Sequence, residues 1–225
     1  IIGRSGGTID FHKRQLKDLA EYLKTKSILE ATEEDIKEYL NEISKWHSDN
    51  TVCTTLSALS MFFKWCLKKG YVSENPVPKF SRFARTLPEP RCLSEEEQER
   101  LLKAVKDPRD MAIIGLMLFG GLSLSETAAL SAEDIRFAGV GVFISAGRGK
   151  GRRTVYFEDP LAGILRCWMG LNKSRYLWPN RYGLPLDRRG IVFLIAEYGR
   201  KANIPALSSQ ALRNTFCRNM LDQGM

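Results

Sequence analysis

The sequence predicts a mainly α-helical fold with a small antiparallel β-sheet, divided into two domains. Apolar residues recur at helical spacing along most of the chain, and their period changes to alternation only between Val140 and Phe157. A proline-rich segment separates two helical regions. The length of 225 residues agrees with one or two domains of ~150 residues each.

Residues 1–76 are predicted to form a helical domain. A first helix carries an apolar face around Leu19, and Thr32 caps the start of a second helix. A third helix runs roughly from Thr51 to Lys69 and ends at a glycine. Its predicted inner face comprises Leu56, Leu59, Phe62, Phe63, Cys66 and Leu67.

Residues 77–90 are predicted to link the two domains. Prolines block both a helix and a central strand, so this segment fits neither element. Arg82 lies within it and adds positive charge to the linker. The prolines in and beside the segment are Pro76, Pro78, Pro88 and Pro90.

Residues 91–225 are predicted to form a second domain of the α+β type. Its glycine-rich turn is not predicted to bind a nucleotide, because no helix follows it. Spacing predicts that most of the four tryptophans are core or linker residues. The predicted elements are a helix capped by Ser94, a buried helix over Met111–Phe119, a short helix over Ser123–Leu130, a β-hairpin over Val140–Phe157, a helix after Asp159-Pro160, and helices over Gly190–Lys201 and Gln210–Gln223.

Positive charge is concentrated in the second domain. The chain has 34 Lys and Arg residues against 26 acidic residues, a formal net charge of +8. Between Arg136 and Arg218 there are 15 basic and four acidic residues, a net charge of +11. Such a field is typical of a protein that binds nucleic acid. This concentration of charge argues against two alternatives, a basic surface that is merely solvated and a protein-interaction module that does not bind nucleic acid.

The cysteine and histidine content predicts no metal site. Five cysteines are widely spaced without a C-x-x-C pair, and there are only two histidines. This pattern is typical of reduced thiols in the cytoplasm. The longest uncharged run, Met111–Ser125, is shorter than the ~20 residues that a membrane span needs. We expect a cytoplasmic, nucleoid-associated protein without a membrane partner.

Six motifs follow one another along the chain. They are Thr55–Leu59 with Phe62–Trp65, Leu93–Glu97, Gly120–Glu126, Gly147–Lys150, Leu177–Asn180 with Gly183–Leu186, and Gln210–Phe216. In this order they resemble the tyrosine recombinase (phage integrase, Xer-like) family over nearly the whole chain. The resemblance implies a helical, SAM-like core-binding domain over residues 1–76. It implies a catalytic domain over residues 91–225 that lacks the C-terminal tyrosine segment.

The resemblance implies site-specific recombination of duplex DNA without a cofactor. In that family a tyrosine attacks the phosphodiester to form a 3′-phosphotyrosyl ester, and two arginines bind the non-bridging oxygens. A lysine protonates the departing sugar oxygen, and a histidine assists. Arg213 matches the second arginine and Lys150 matches the lysine, although Arg148 competes for that position. The resemblance also implies a homo-oligomer, a tetramer on paired DNA sites.

Four departures from the family pattern bear on activity. Ser123 replaces the first arginine and no tyrosine follows Arg213. In the last motif, Gln210 replaces the first histidine and Asn214 the second. A transition-state arginine is worth ~10³–10⁵ in rate. The 225-residue chain by itself is therefore predicted to be inactive in strand cleavage. The alternative to a recombinase is a catalytically inactive relative that acts as a DNA-binding regulator or architectural protein.

Two sets of site residues follow from the charge pattern and the resemblance. The predicted catalytic positions, two of them degenerate, are Lys150, Arg213, Gln210 and Ser123. The predicted DNA-contacting residues are Lys64, Arg82, Arg148, Arg152, Arg153 and Arg188.

Overall fold

The computed structural model describes residues 6–78, 89–147 and 151–224. The chain divides into two compact units, Ile1–Pro88 and Glu89–Met225. The described residues are mostly helical and include a three-stranded antiparallel sheet. This arrangement confirms the predicted fold class.

The first unit is helical throughout its regular elements. Its α-helices within the described residues are α1 (Gly6–Leu23), α2 (Glu33–Ser44) and α3 (Asp49–Lys69). Leu19, Ile36 and Phe63 are fully buried where the helices pack together. The prediction that Leu67 belongs to the inner face is wrong, because its side chain is 43% exposed. The buried stripe of α3 is narrow, and Leu67 lies at its edge.

A buried helix forms the centre of the second unit. The helices of this unit are α4 (Glu95–Ala104), α5 (Pro108–Leu118), α6 (Leu124–Ala129), α7 (Leu161–Leu171), α8 (Arg188–Lys201) and α9 (Ser209–Asp222). Helix α5 packs against both α7 and α9. It begins at Pro108, before the predicted start at Met111, because Asp107 caps it and proline fits a first helical turn.

The sheet of the second unit consists of β1 (Ile135–Ala138), β2 (Gly141–Ala146) and β3 (Arg153–Phe157). The order is β1-β2-β3, with Ile135 opposite Ile144 and Ala146 opposite Arg153. The predicted hairpin corresponds to β2 and β3. Strand β1 was not predicted, because its four residues show no extended alternation. One face of the sheet covers the core through Val142, Ile144 and Ala146, which are fully buried.

The tryptophans differ in their surroundings. Trp178 is buried in the core of the second unit, and Trp168 packs against that core. Trp46 is 82% exposed in the connection between α2 and α3. Trp65 is 49% exposed on α3, so the prediction that most tryptophans are core or linker residues is wrong for Trp65. Among the described residues, no helix is both long and apolar enough to span a membrane.

Candidate functional site

The candidate site is centred on the carboxylate of Glu126 in α6. Its Oε1 accepts a short hydrogen bond from the guanidinium of Arg153, and its Oε2 lies 3.4 Å from Nη1 of Arg213. Arg153 begins β3 and Arg213 is on α9, so elements distant in sequence meet at this carboxylate. We call Glu126, Arg153 and Arg213 the arginine cluster.

Ser123 holds the carboxylate of Glu126 in place. Ser123 caps the N-terminus of α6, where its amide and hydroxyl each donate to Oε2 of Glu126 at 2.8 Å. The hydroxyl oxygen in turn accepts from the amide of Glu126 at 3.3 Å, which completes a capping box. Ser123, which the sequence predicts at the position of the family's first arginine, therefore makes its polar contacts within the protein.

The ionised form of Glu126 is strongly favoured. Burial raises the pKa of this carboxyl. Hydrogen bonds from Arg153 and Ser123, together with the charge of Arg153, lower the pKa by more than burial raises it. The net result is a pKa of about 2. At neutral pH the arginine cluster thus combines two guanidinium groups with one carboxylate, and its net charge is +1.

Helix α9 is fixed on two sides, and this fixes the position of Arg213. The hydroxyl of Thr215 accepts from the amide of Leu93 at 2.8 Å and donates to the carbonyl of Ala211 at 2.8 Å. Arg218 donates to the carbonyl of Leu93 through a short hydrogen bond. These buried contacts join α9 to the segment that precedes α4.

The second fixed side of α9 meets the turn before α6. Gly121 has a φ of +59°, and a Cβ atom there would lie 2.3 Å from Cδ1 of Phe216. Only glycine combines this left-handed backbone with such a close approach. The far end of α6 is held by Trp178, whose indole donates to the carbonyl of Thr127 at 2.7 Å. These contacts hold α6 and α9 against the core and so fix the positions of Glu126 and Arg213.

Gln210 does not join the arginine cluster. Its side-chain amide donates to Oδ1 of Asn214 at 2.7 Å, one helical turn along α9. Asn214 itself donates to the carbonyl of Arg91 at 3.3 Å. Gln210 is exposed and lies three residues before Arg213, on the same side of the helix.

Family models match most of the chain. The model of the phage integrase family matches residues 91–225. The model of the phage integrase N-terminal SAM-like domain matches residues 3–72. The chain belongs to the phage integrase family of tyrosine recombinases. The arginine cluster therefore lies in the integrase part of the chain.

Similar proteins cover nearly all of this integrase-family chain. A curated relative, "Tyrosine recombinase XerC" of Listeria innocua, is 27% identical over 95% of this chain and 77% of its own length. The solved Tn1549 transposon integrase in complex with a circular intermediate DNA has a TM-score of 0.83 at 18% identity, over 100% of this chain and 84% of that one. A lambda integrase dimer bound to a COC′ core site has a TM-score of 0.78 at 14% identity, over 98% and 85%.

The other predicted DNA-contacting residues lie at several places in this integrase fold. Arg152 is exposed and pairs with Asp134 at 3.0 Å, outside the arginine cluster. Arg188 is exposed at the start of α8, where it lines a surface depression together with Leu124. Lys64 is exposed on α3 of the first unit. Arg82, Arg148 and Lys150 lie outside the described residues.

Sequence reasoning gave Glu126 no role of its own. The residue stands within the recognised Gly120–Glu126 motif, three residues after Ser123, which is the spacing of a capping box. That spacing was a usable signal for the contact with Ser123. The contacts with Arg153 and Arg213 depend on the packing of β3 and α9. Within the described residues, no group of three or more His, Cys, Asp and Glu side chains could hold a metal ion.

Proposed function

We propose that this chain binds duplex DNA and that the native full-length protein cleaves and rejoins it as a site-specific tyrosine recombinase. The observation that carries the proposal is the placement of Arg213. Its side chain is 36% exposed on a helix held by the buried core, within a motif that matches the family's last motif. A guanidinium held in this way can donate two parallel hydrogen bonds to a phosphate.

The proposed reaction exchanges one phosphodiester for another. A tyrosine hydroxyl attacks the phosphorus, the bond to the 5′ oxygen breaks, and a 3′-phosphotyrosyl ester forms. Arg213 binds non-bridging oxygens and stabilises the charge that develops on them. Lys150, for whose position Arg148 competes in the sequence, protonates the departing 5′ oxygen. Gln210 lacks a proton that can titrate near neutral pH, but it can donate a hydrogen bond.

Similar proteins support DNA as the partner. The curated relative is named a tyrosine recombinase, and two similar solved integrases are bound to DNA. We assign DNA contacts to Lys64, Arg82, Arg148, Arg152, Arg153 and Arg188. We further assign core binding to residues 1–76, a linker to 77–90 and catalysis to 91–225. The proposal includes assembly as a tetramer on paired sites in the cytoplasm.

Binding of duplex DNA by the 225-residue chain is expected to depend strongly on salt. Each phosphate neutralised by a basic side chain releases a counterion, so affinity should fall about tenfold or more between roughly 50 and 200 mM NaCl. Fluorescence anisotropy of a labelled duplex measures this dependence. An affinity that changed less than about twofold over that range would contradict the phosphate contacts.

The catalytically inactive alternative is favoured by one feature of the site. The hydroxyl of Ser123 and the amide of Gln210, at the two degenerate positions, both make hydrogen bonds within the protein. A protein with this site that binds but does not cut would act as a DNA-binding regulator or architectural protein.

Adduct formation separates the two functions. The native full-length protein is incubated with a nicked suicide substrate, and covalent protein–DNA adducts are quantified on a denaturing gel. An adduct is expected for the recombinase. Salt-dependent binding without any adduct would establish the regulator in its place.

A further inference from the structure

Arg153 and Arg213 approach the same carboxylate from two different elements. Each guanidinium uses one nitrogen for one oxygen of Glu126. Within the described parts of the chain, neither guanidinium makes another hydrogen bond. Their side chains are 42% and 36% exposed, whereas Glu126 is 16% exposed. Both arginines therefore keep free N–H groups that can reach an anion arriving from solvent.

Arg153 and its basic neighbour Arg152 have different partners. Arg152 precedes β3 and pairs with Asp134, whereas Arg153 is the first residue of β3 and pairs with Glu126 of α6. Arg153 lies opposite Ala146 at the end of the β2–β3 ladder. Its position in the site is thus determined by the register of the sheet.

The charge of the arginine cluster suits a single phosphodiester. A phosphodiester carries one negative charge, and the cluster has a net charge of +1 at neutral pH. Arg213 alone would be neutralised by Glu126. Arg153 supplies the remaining positive charge, at a place where Ser123 contributes none.

We propose that Arg153 and Arg213 together bind the scissile phosphate, so that Arg153 supplies from β3 the guanidinium that Ser123 does not supply from α6. Glu126 then holds the two guanidinium groups side by side, one on each of its carboxylate oxygens. This assignment rests on the proposed function, since it requires duplex DNA as the ligand. It makes Arg153 a phosphate-binding residue of the site, in addition to a partner of Glu126.

The test measures the binding of a labelled 30-base-pair duplex over a range of salt concentrations. Arg153→Ala is expected to weaken binding about tenfold and to reduce the salt slope by about one. Arg153→Lys keeps the charge and is expected to keep the slope. Ser123→Arg in the Arg153→Ala background is expected to restore both affinity and slope, because it returns a guanidinium beside Glu126.

Arg91 provides a matched control. It pairs with Glu97 at 2.6 Å, its side chain is 40% exposed, and Glu97 closes a capping box with Ser94 as Glu126 does with Ser123. Arg91→Ala removes the same charge from the same kind of pair and is expected to change affinity by less than about twofold. Thermal unfolding verifies that each variant is folded.

Each outcome decides between named alternatives. Equal losses for Arg153→Ala and Arg91→Ala would overturn the assignment, because the effect would then be one of net charge. A failure of Ser123→Arg to restore binding would overturn it as well. A wild-type chain without salt-dependent binding would overturn the proposed function itself, which is a separate result.

Discussion

Replacing Arg213 by alanine in the native full-length protein is expected to slow DNA strand cleavage by ~10³-fold or more. The transition state places extra negative charge on the non-bridging oxygens, and a fixed guanidinium stabilises that charge more than it stabilises the bound substrate. Arg213 is fixed because Thr215 and Phe216 lock α9 to the segment before α4 and to Gly121. Single-turnover formation of the covalent adduct measures the loss.

Two further variants make this prediction specific. Arg213→Lys keeps the charge but loses the planar guanidinium that can donate two hydrogen bonds to a phosphate. Its cleavage rate should therefore fall between those of the wild type and Arg213→Ala. Arg200→Ala removes an exposed arginine near the end of α8 and should leave the rate within about twofold of the wild type. Cleavage by Arg213→Ala at the wild-type rate would show that the phosphate is bound elsewhere.

The sequence predicts best those elements whose signals are local. The capping boxes at Thr32 and Ser94 start α2 and α4 where they were expected, since the cap and its partner are three residues apart. Gly70 ends α3 with a φ of 74°. In each case the deciding contacts lie within one helical turn, so the residues alone indicate the element.

Elements that depend on distant partners escaped prediction. Strand β1 is recognisable only through its pairing with β2, because four residues are too few to show a period. The exposure of Trp65 on α3 has a related cause. Helical spacing indicates that residues share a face, but it does not show whether another element covers that face.

The candidate site likewise contains residues that local motifs reveal and residues that only distant contacts reveal. Ser123, Gln210 and Arg213 were found from short motifs, and they remain predicted site residues. The arginine cluster joins Glu126 to Arg153, 27 positions later, and to Arg213, 87 positions later. No spacing rule connects such positions. Arg153 was predicted only as one of several basic DNA contacts, and its pairing with Glu126 depends on the packing of β3 beside α6.

Lowering the pH from about 5 to 2 is expected to remove up to ~3 kcal/mol of stability that depends on Glu126. The pKa of Glu126 is about 2 in the folded protein, against an ordinary value of 4.5. Because the folded pKa is the lower one, the stabilisation is complete above pH 4.5 and is lost as the pH falls through the folded pKa. Protonation breaks the pairs with Arg153 and Arg213.

The Glu126→Gln variant isolates this contribution. Glutamine can still accept from Ser123, but it has no charge that the pH can remove, so wild type and variant should differ most above pH 5 and converge toward pH 2. Urea unfolding followed by tryptophan fluorescence measures the difference, with buried Trp178 close to α6 as a reporter. The Glu97→Gln variant is expected to differ from the wild type in the same direction, with the larger difference in unfolding free energy at higher pH, because the hydrogen bond from Arg91 lowers the pKa of Glu97. Unfolding free energies of wild type and Glu126→Gln that ran parallel from pH 5 to pH 2 would show that the arginine cluster does not hold this carboxylate in its charged form.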